Sequence, residues 1–130
     1  HLIRRFGVLP VMGAGVALNL VCIALALAGT SFANFLGALF LLGVGWNFMF
    51  TGSTTLSLEA WQPVEQDRGQ AAINFLVFAT MAVTSFASGA LVTSSGWGWL
   101  NLGSLLPVAL AALALIWLAW LRRRPQVAVA

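Results

Sequence analysis

The sequence predicts an all-α membrane protein of four transmembrane helices, and three observations carry that expectation. Hydrophobic residues make up 61% of the 130-residue chain and charged residues only 7%, against about 25% in soluble domains. The apolar residues fall into four runs, each near the ~20 residues that cross about 30 Å of hydrocarbon. Every charged side chain lies outside those runs. So few charges cannot cover a water-soluble exterior, and lipid is the expected solvent for most of the surface.

The first run, residues 6–29, carries Asn19 as its main polar group and Cys22 as the chain's single cysteine, expected to be a small buried side chain. It is apolar enough to sit on the outside of a bundle. An uncharged connector, 30–34, leads to the second run, 35–57, where Gly43, Asn47, Thr51 and Thr54 share one helical face. The loop 59–70 holds Glu59, Glu65, Asp67 and Arg68. Within it Pro63, followed by Val-Glu-Gln-Asp, predicts the start of a helical turn leading into the third run. That run, 71–93, places Asn74, Val77, Met81, Ser85 and Ser88 along one face. After a second uncharged connector, 94–99, the fourth run, 100–121, has no hydrogen-bonding side chain beyond Leu105 except tryptophan. It is expected to be peripheral and to face lipid.

Four crossings bring both termini and the loop 59–70 to one side of the membrane. Arg4, Arg5, Arg68, Arg122, Arg123 and Arg124 all lie there, so the positive-inside rule places that side in the cytoplasm. These clusters suit anionic headgroups. They form no basic stripe interleaved with aromatics, so nucleic acid is not an expected partner. Trp61, Trp97, Trp99, Trp117 and Trp120 fall near span ends, as interfacial anchors do. With one cysteine and one terminal histidine, neither a metal site nor a cofactor is expected. No base stands near any serine and no carboxylate lies inside a span, so the chain is not expected to be an enzyme.

The polar residues of the middle runs admit two readings. Ser85, Ser88 and Gly89 read as helix-packing positions, since small residues let backbones approach. Trp46, Asn47, Thr51 and Asn74 are the candidates for lining a substrate cavity, where an amide orients a polar ligand and an indole stacks on it. The same four also suit a packing seam. Gly43-Val-Gly45 and Gly96-Trp97-Gly98 follow no strand and precede no Lys-Ser/Thr pair, so they read as packing and turn glycines rather than phosphate loops.

Over its whole length the chain resembles the Major Facilitator Superfamily, in particular bacterial drug or metabolite exporters, at the last four of twelve helices. Leu2-Ile3-Arg4-Arg5-Phe6-Gly7 is similar to the end of the family's G-x-L-x-D-R-x-G loop, with Arg4 where the aspartate would stand. The stretch from Glu59 to Gln70 is similar to the loop between the tenth and eleventh helices. The resemblance implies cytoplasmic gate roles for Glu59 and Arg68, with Arg5 and Arg4 beside them, latched by ion pairs. The alternative is a solvated loop whose exposed pairs contribute about 0–1 kcal/mol. The run Asn74-Phe-Leu-Val-Phe78, continuing to Ser85-Phe-Ala-Ser88-Gly89, resembles the eleventh helix, where relatives often carry a carboxylate at the Asn74 position. An amide cannot titrate, so proton coupling is not carried over to this residue.

The expected function is therefore part of a secondary transporter that moves a small molecule across the bacterial cytoplasmic membrane by alternating access. Its partners are the lipid bilayer and the remaining transporter helices, and the chain, headed by His1, is expected to be a fragment. The alternative is a complete four-span protein acting as a homo-oligomeric exporter or as a non-transporting scaffold subunit.

Overall fold

In a computed structural model, which describes residues 2–123, the chain folds into α1 (Leu2–Phe6), α2 (Val8–Ala28), α3 (Phe32–Ala60) and α4 (Gln66–Arg123). Among the described residues no strand occurs, and α2, α3 and α4 are each long and apolar enough to cross a membrane. His1 and Arg124 lie outside the described residues.

The helix boundaries follow local chemistry. Gly7, between α1 and α2, has φ +88° and ψ 165°, a region essentially restricted to glycine. It lets the chain turn from α1 into α2. Ser31 caps α3, its Oγ accepting from the Asn34 N–H at 3.3 Å, and so the helix begins three residues before the predicted span. Beyond Ala60 the Glu65 N–H donates to the Gln62 carbonyl at 2.8 Å. Pro63 thus occupies the second position of a β-turn, where its fixed φ is favoured, and the helix starts after it at Gln66 rather than at the proline. Gln66 Nε2 donates to the Leu58 carbonyl at 3.1 Å, satisfying one of the orphan acceptors in the last turn of α3.

A straight helix of 58 residues would be about 87 Å long, far more than one crossing. At Gly96, with φ +85° and ψ 175°, α4 is not helical. The two ends of α4 both return to the end of α3: the site of a Gly69 Cβ lies 2.7 Å from the Trp61 ring, and Arg122 ion-pairs with Glu59 at 3.1 Å. The midpoint instead meets the opposite end, where Trp97 bonds to Ala26. Gly96 is therefore the predicted turn glycine, and α4 is two antiparallel legs, residues 66–95 and 97–123.

The tightest packing joins α2 to α3. Read in antiparallel register, Met12 meets Gly52, Asn19 meets Gly45, and Ala26 meets Ala38. Each series repeats every seven residues, which keeps one face of each helix toward the other. A Cβ on Gly45 would stand 2.7 Å from Asn19 Nδ2 and 3.0 Å from the Gly15 carbonyl oxygen. Asn19 donates to that same carbonyl at 2.9 Å, so the single buried polar side chain among the described residues is satisfied within its own helix. Gly45 is a packing glycine; Gly43, with nothing within 4 Å of its Cβ position, is not.

The first run was expected outside, and here the fold differs. α2 touches every other helix and carries most of the buried residues, Val11, Met12, Gly15, Val16, Asn19, Cys22, Ile23 and Ala26. The reason is side-chain size: Gly15 and the Ala38-Gly45-Gly52 stripe let α3 approach α2 closely. α4 packs against α2, and in both of its legs large apolar side chains are largely exposed. Phe75, Phe86, Leu106 and Ile116 are all more than 60% exposed. A surface of this kind is compatible with lipid or with further helices, not with water.

Candidate functional site

Between α2, α3 and the two legs of α4 lies a cavity of about 770 Å³. α2 contributes Asn19, Cys22, Ile23 and Ala26. α3 contributes Phe35, Ala38, Leu39, Leu42 and Trp46, which recur three to four residues apart and so share one face. The first leg of α4 adds Leu76, Val77, Thr80, Met81 and Thr84, and the second adds Trp97, Asn101, Ser104 and Pro107. Pro107 cannot donate to the Gly103 carbonyl one turn back, which loosens that leg where it borders the cavity.

The wall is less polar than its residue types imply. Asn101 Nδ2 donates to the Trp97 carbonyl at 2.9 Å, Ser104 Oγ to the Asn101 carbonyl at 2.6 Å, and Thr84 Oγ1 to the Thr80 carbonyl at 2.8 Å. Asn19 is spent on Gly15 in the same way. Such local bonds satisfy the side chain on its own helix. Among the described residues no charged side chain lines the space, so the cavity suits an uncharged, largely apolar occupant.

Of the sequence candidates, Trp46 lines this cavity and stacks on Phe50, with ring centroids 5.9 Å apart and planes 17° from parallel. Asn47 and Thr51 are exposed. At 3.6 residues per turn Asn47 and Gly43 lie roughly opposite the Ala38-Gly45-Gly52 seam of α3, and Thr51 lies about 100–120° round from it. Asn74 is half-buried and accepts from Gln70 Nε2 at 3.2 Å. Ser85 and Gly89 stand on an open face of α4, with nothing near the Gly89 Cβ position, and Ser88 Oγ turns back to the Ser85 carbonyl at 2.9 Å. Val77 and Met81, read from the sequence as sharing the Asn74 face, do reach the cavity.

The charged residues among those described gather at one end of the bundle. There Glu59 pairs with Arg122, not with Arg68, because the reversal at Gly96 returns the end of α4 to the end of α3. Arg4 and Arg5 belong to α1, where the Arg5 guanidinium lies 5.5 Å from the centre of the Phe6 ring. Both partners of the Glu59–Arg122 bridge are about half exposed, which limits its contribution to about 0–1 kcal/mol. Arg122→Ala is accordingly expected to change the free energy of unfolding in detergent by less than about 1 kcal/mol; a loss of 3 kcal/mol, about what breaking a buried pair costs, would show the bridge to be buried in the assembled protein.

Sequence reasoning took Trp97 for an interfacial anchor and did not assign Asn101 or Ser104. Trp97 Nε1 donates to the Ala26 carbonyl at 2.9 Å, and its ring meets Phe35 at 6.1 Å. The available signal was its place next to a turn glycine, at the level of the bundle where α2 ends and α3 begins.

Residues 1–130 match the family model described as Major Facilitator Superfamily. The chain is 39% identical over 129 residues to a protein of Brucella anthropi named "Riboflavin transporter RfnT". That match covers 99% of this chain and 31% of the relative, so the chain spans about a third of the relative's length. No solved structure matches it. With a family model covering its full length and a helical, membrane-compatible fold, the chain belongs to the Major Facilitator Superfamily and is an integral membrane protein.

Proposed function

We propose that this chain supplies helices nine to twelve of a twelve-helix secondary transporter that moves riboflavin, or a flavin closely like it, by alternating access. Family membership makes it a transport protein and not an enzyme. The observation that carries the path is the exposed polar face of α3, where Asn47 and Thr51 stand mid-helix and turned away from the α2 seam. Polar groups at such a depth need a partner helix or water. An amide and a hydroxyl on that face suit a flat, uncharged heteroaromatic ring system that carries carbonyl groups. The relative's printed name supports that substrate class, and a match of about one third of its length supports four helices of twelve.

The proposed topology has α2, α3 and the two legs of α4 each crossing once. The end that bears Arg4, Arg5, Glu59, Arg68 and Arg122 faces the cytoplasm of a bacterial inner membrane, following the positive-inside rule. In this reading those residues form part of the cytoplasmic gate. Asn74, with Ser85, Ser88 and Gly89, meets transporter helices outside this chain.

In the full-length transporter reconstituted in liposomes, riboflavin flux should be saturable. Asn47→Cys and Thr51→Cys should react with a small aqueous thiol reagent and be protected at least about fivefold by riboflavin. Saturable flux without protection would move the path off α3. Absence of riboflavin flux would remove the substrate assignment.

A further inference from the structure

We infer that Asn19 anchors a transmembrane helix of the larger transporter, one outside this chain, which covers the groove between α2, α3 and α4 and donates a side-chain hydrogen bond to Asn19 Oδ1. The inference rests on the reading of this chain as about a third of that transporter. Asn19 stands at the middle of α2 and is only 9% exposed. Its Nδ2 donates to the Gly15 carbonyl at 2.9 Å and lies 3.7 Å from Met49 Sδ. A carbonyl can only accept, so Gly15 fixes which corner of the amide holds the nitrogen. That corner lies in the α3 seam, beside Gly45. The other corner, Oδ1, accepts no hydrogen bond among the described residues. Asn19 borders the space between the helices, and this acceptor is the polar group it offers there.

That space is a groove open along its side rather than a closed chamber. Leu39, Trp46, Leu76 and Met81 line it and are still 43–62% exposed. Along α3 the lining runs from Phe35 to Trp46, about 17 Å or three turns of helix. A lipid chain would fill such a groove but brings no donor, and a carbonyl left bare in hydrocarbon is costly. A transmembrane helix meets both needs. Its apolar side chains cover Leu39, Leu76 and Met81, and a serine, threonine, asparagine, glutamine, tyrosine or tryptophan on it supplies the donor. About two thirds of the Brucella relative's length lies outside the part that this chain matches, which is the source of such a helix.

The test uses the full-length transporter in bacterial membranes, with benzoylphenylalanine placed at Leu39 or, separately, at Met81, on two walls of the groove. After irradiation, mass spectrometry should place both adducts on one apolar helix of the same polypeptide, outside these 130 residues, that carries a donor side chain. Adducts with lipid alone, with a second copy or within this chain, or adducts abolished by riboflavin, would overturn the inference. The hydrogen bond is read from Cys22, which is buried and borders the same groove one turn from Asn19. With any cysteines outside this chain replaced, its rate of modification by N-ethylmaleimide follows the fraction of time the groove is uncovered. Asn19→Leu, which keeps the side chain's shape, should raise that rate about threefold, the average worth of an interhelical hydrogen bond in a membrane. Removing the donor from the labelled helix should do the same with the Asn19–Gly15 bond left in place, and the double variant should do no more. A rise near about ninefold in the double variant, or none in the donor variant, refutes the anchor. The donor variant decides the question if Asn19→Leu does not fold. Neither readout measures flux, so this inference and the transport assignment fail separately.

Discussion

Replacing Gly45 by leucine is expected to separate α2 from α3 and to unfold the packed half of the bundle. Even the first added carbon would lie 2.7 Å from Asn19 Nδ2, closer than carbon contacts adopt, and 3.0 Å from the Gly15 carbonyl oxygen, tighter than nearly all of them. Asn19 cannot yield freely, because its amide is tied to that carbonyl; the carbonyl is main chain and cannot rotate away. Overpacking in a well-filled core costs about 1–3 kcal/mol and occasionally more, and a leucine here exceeds the space by its whole side chain. The matched control is Gly43→Leu, two residues away on a face with nothing within 4 Å, which should be tolerated within this chain. Cys22 and Ala38 belong to one packed cluster, so oxidation should cross-link Cys22 to Ala38→Cys in the parent and in the Gly43 variant. Retention of that cross-link in Gly45→Leu, with stability within 0.5 kcal/mol, would remove the seam from this account.

The second large effect is expected at Gly96. Its φ of +85° with ψ of 175° lies in a region that side chains bearing a Cβ essentially do not enter, at a cost of order 1–3 kcal/mol. Nothing surrounds the position, so the penalty is entirely one of backbone conformation. Alanine should therefore cost nearly as much as leucine, which distinguishes Gly96 from Gly45, where the penalty grows with volume. Relieved of its turn, the chain would tend to continue as one helix and withdraw Arg122 from Glu59 and Trp97 from Ala26. Cysteines at Leu91 and Gly103, which face each other across the turn with the Leu91 Cδ2 3.8 Å from the Gly103 Cβ position, should cross-link in the parent and lose efficiency in Gly96→Ala. Efficient cross-linking in both would mean that the bilayer, not the glycine, enforces the reversal.

These two glycines show where sequence reading reaches and where it stops. Gly96 was legible as a turn glycine because it interrupts an apolar run at a span end, in an uncharged connector. Gly45 was legible as a packing residue, but its partner was not, since thirteen glycines offer many small-residue stripes. The stripe written most plainly, Gly43 with Asn47 and Thr51, turned out to be the open face of α3. The central place of α2 was hidden for a related reason. Hydrocarbon and a protein core are equally apolar, so an apolar helix reads the same in either setting.

The site divides along the same line. Trp46 was visible as an aromatic in mid-span, whereas the Trp97–Ala26 hydrogen bond spans 71 positions of sequence and Glu59 finds Arg122 across 63. By itself the sequence determined the helical class, the apolar runs and the collection of all charge at one end, since each follows from the cost of placing backbone or charge in hydrocarbon. Only the tertiary structure decided which faces meet, which helix is central and which side chains surround the cavity. Those choices rest on shape fit between surfaces that share one polarity, and hydropathy carries no record of shape.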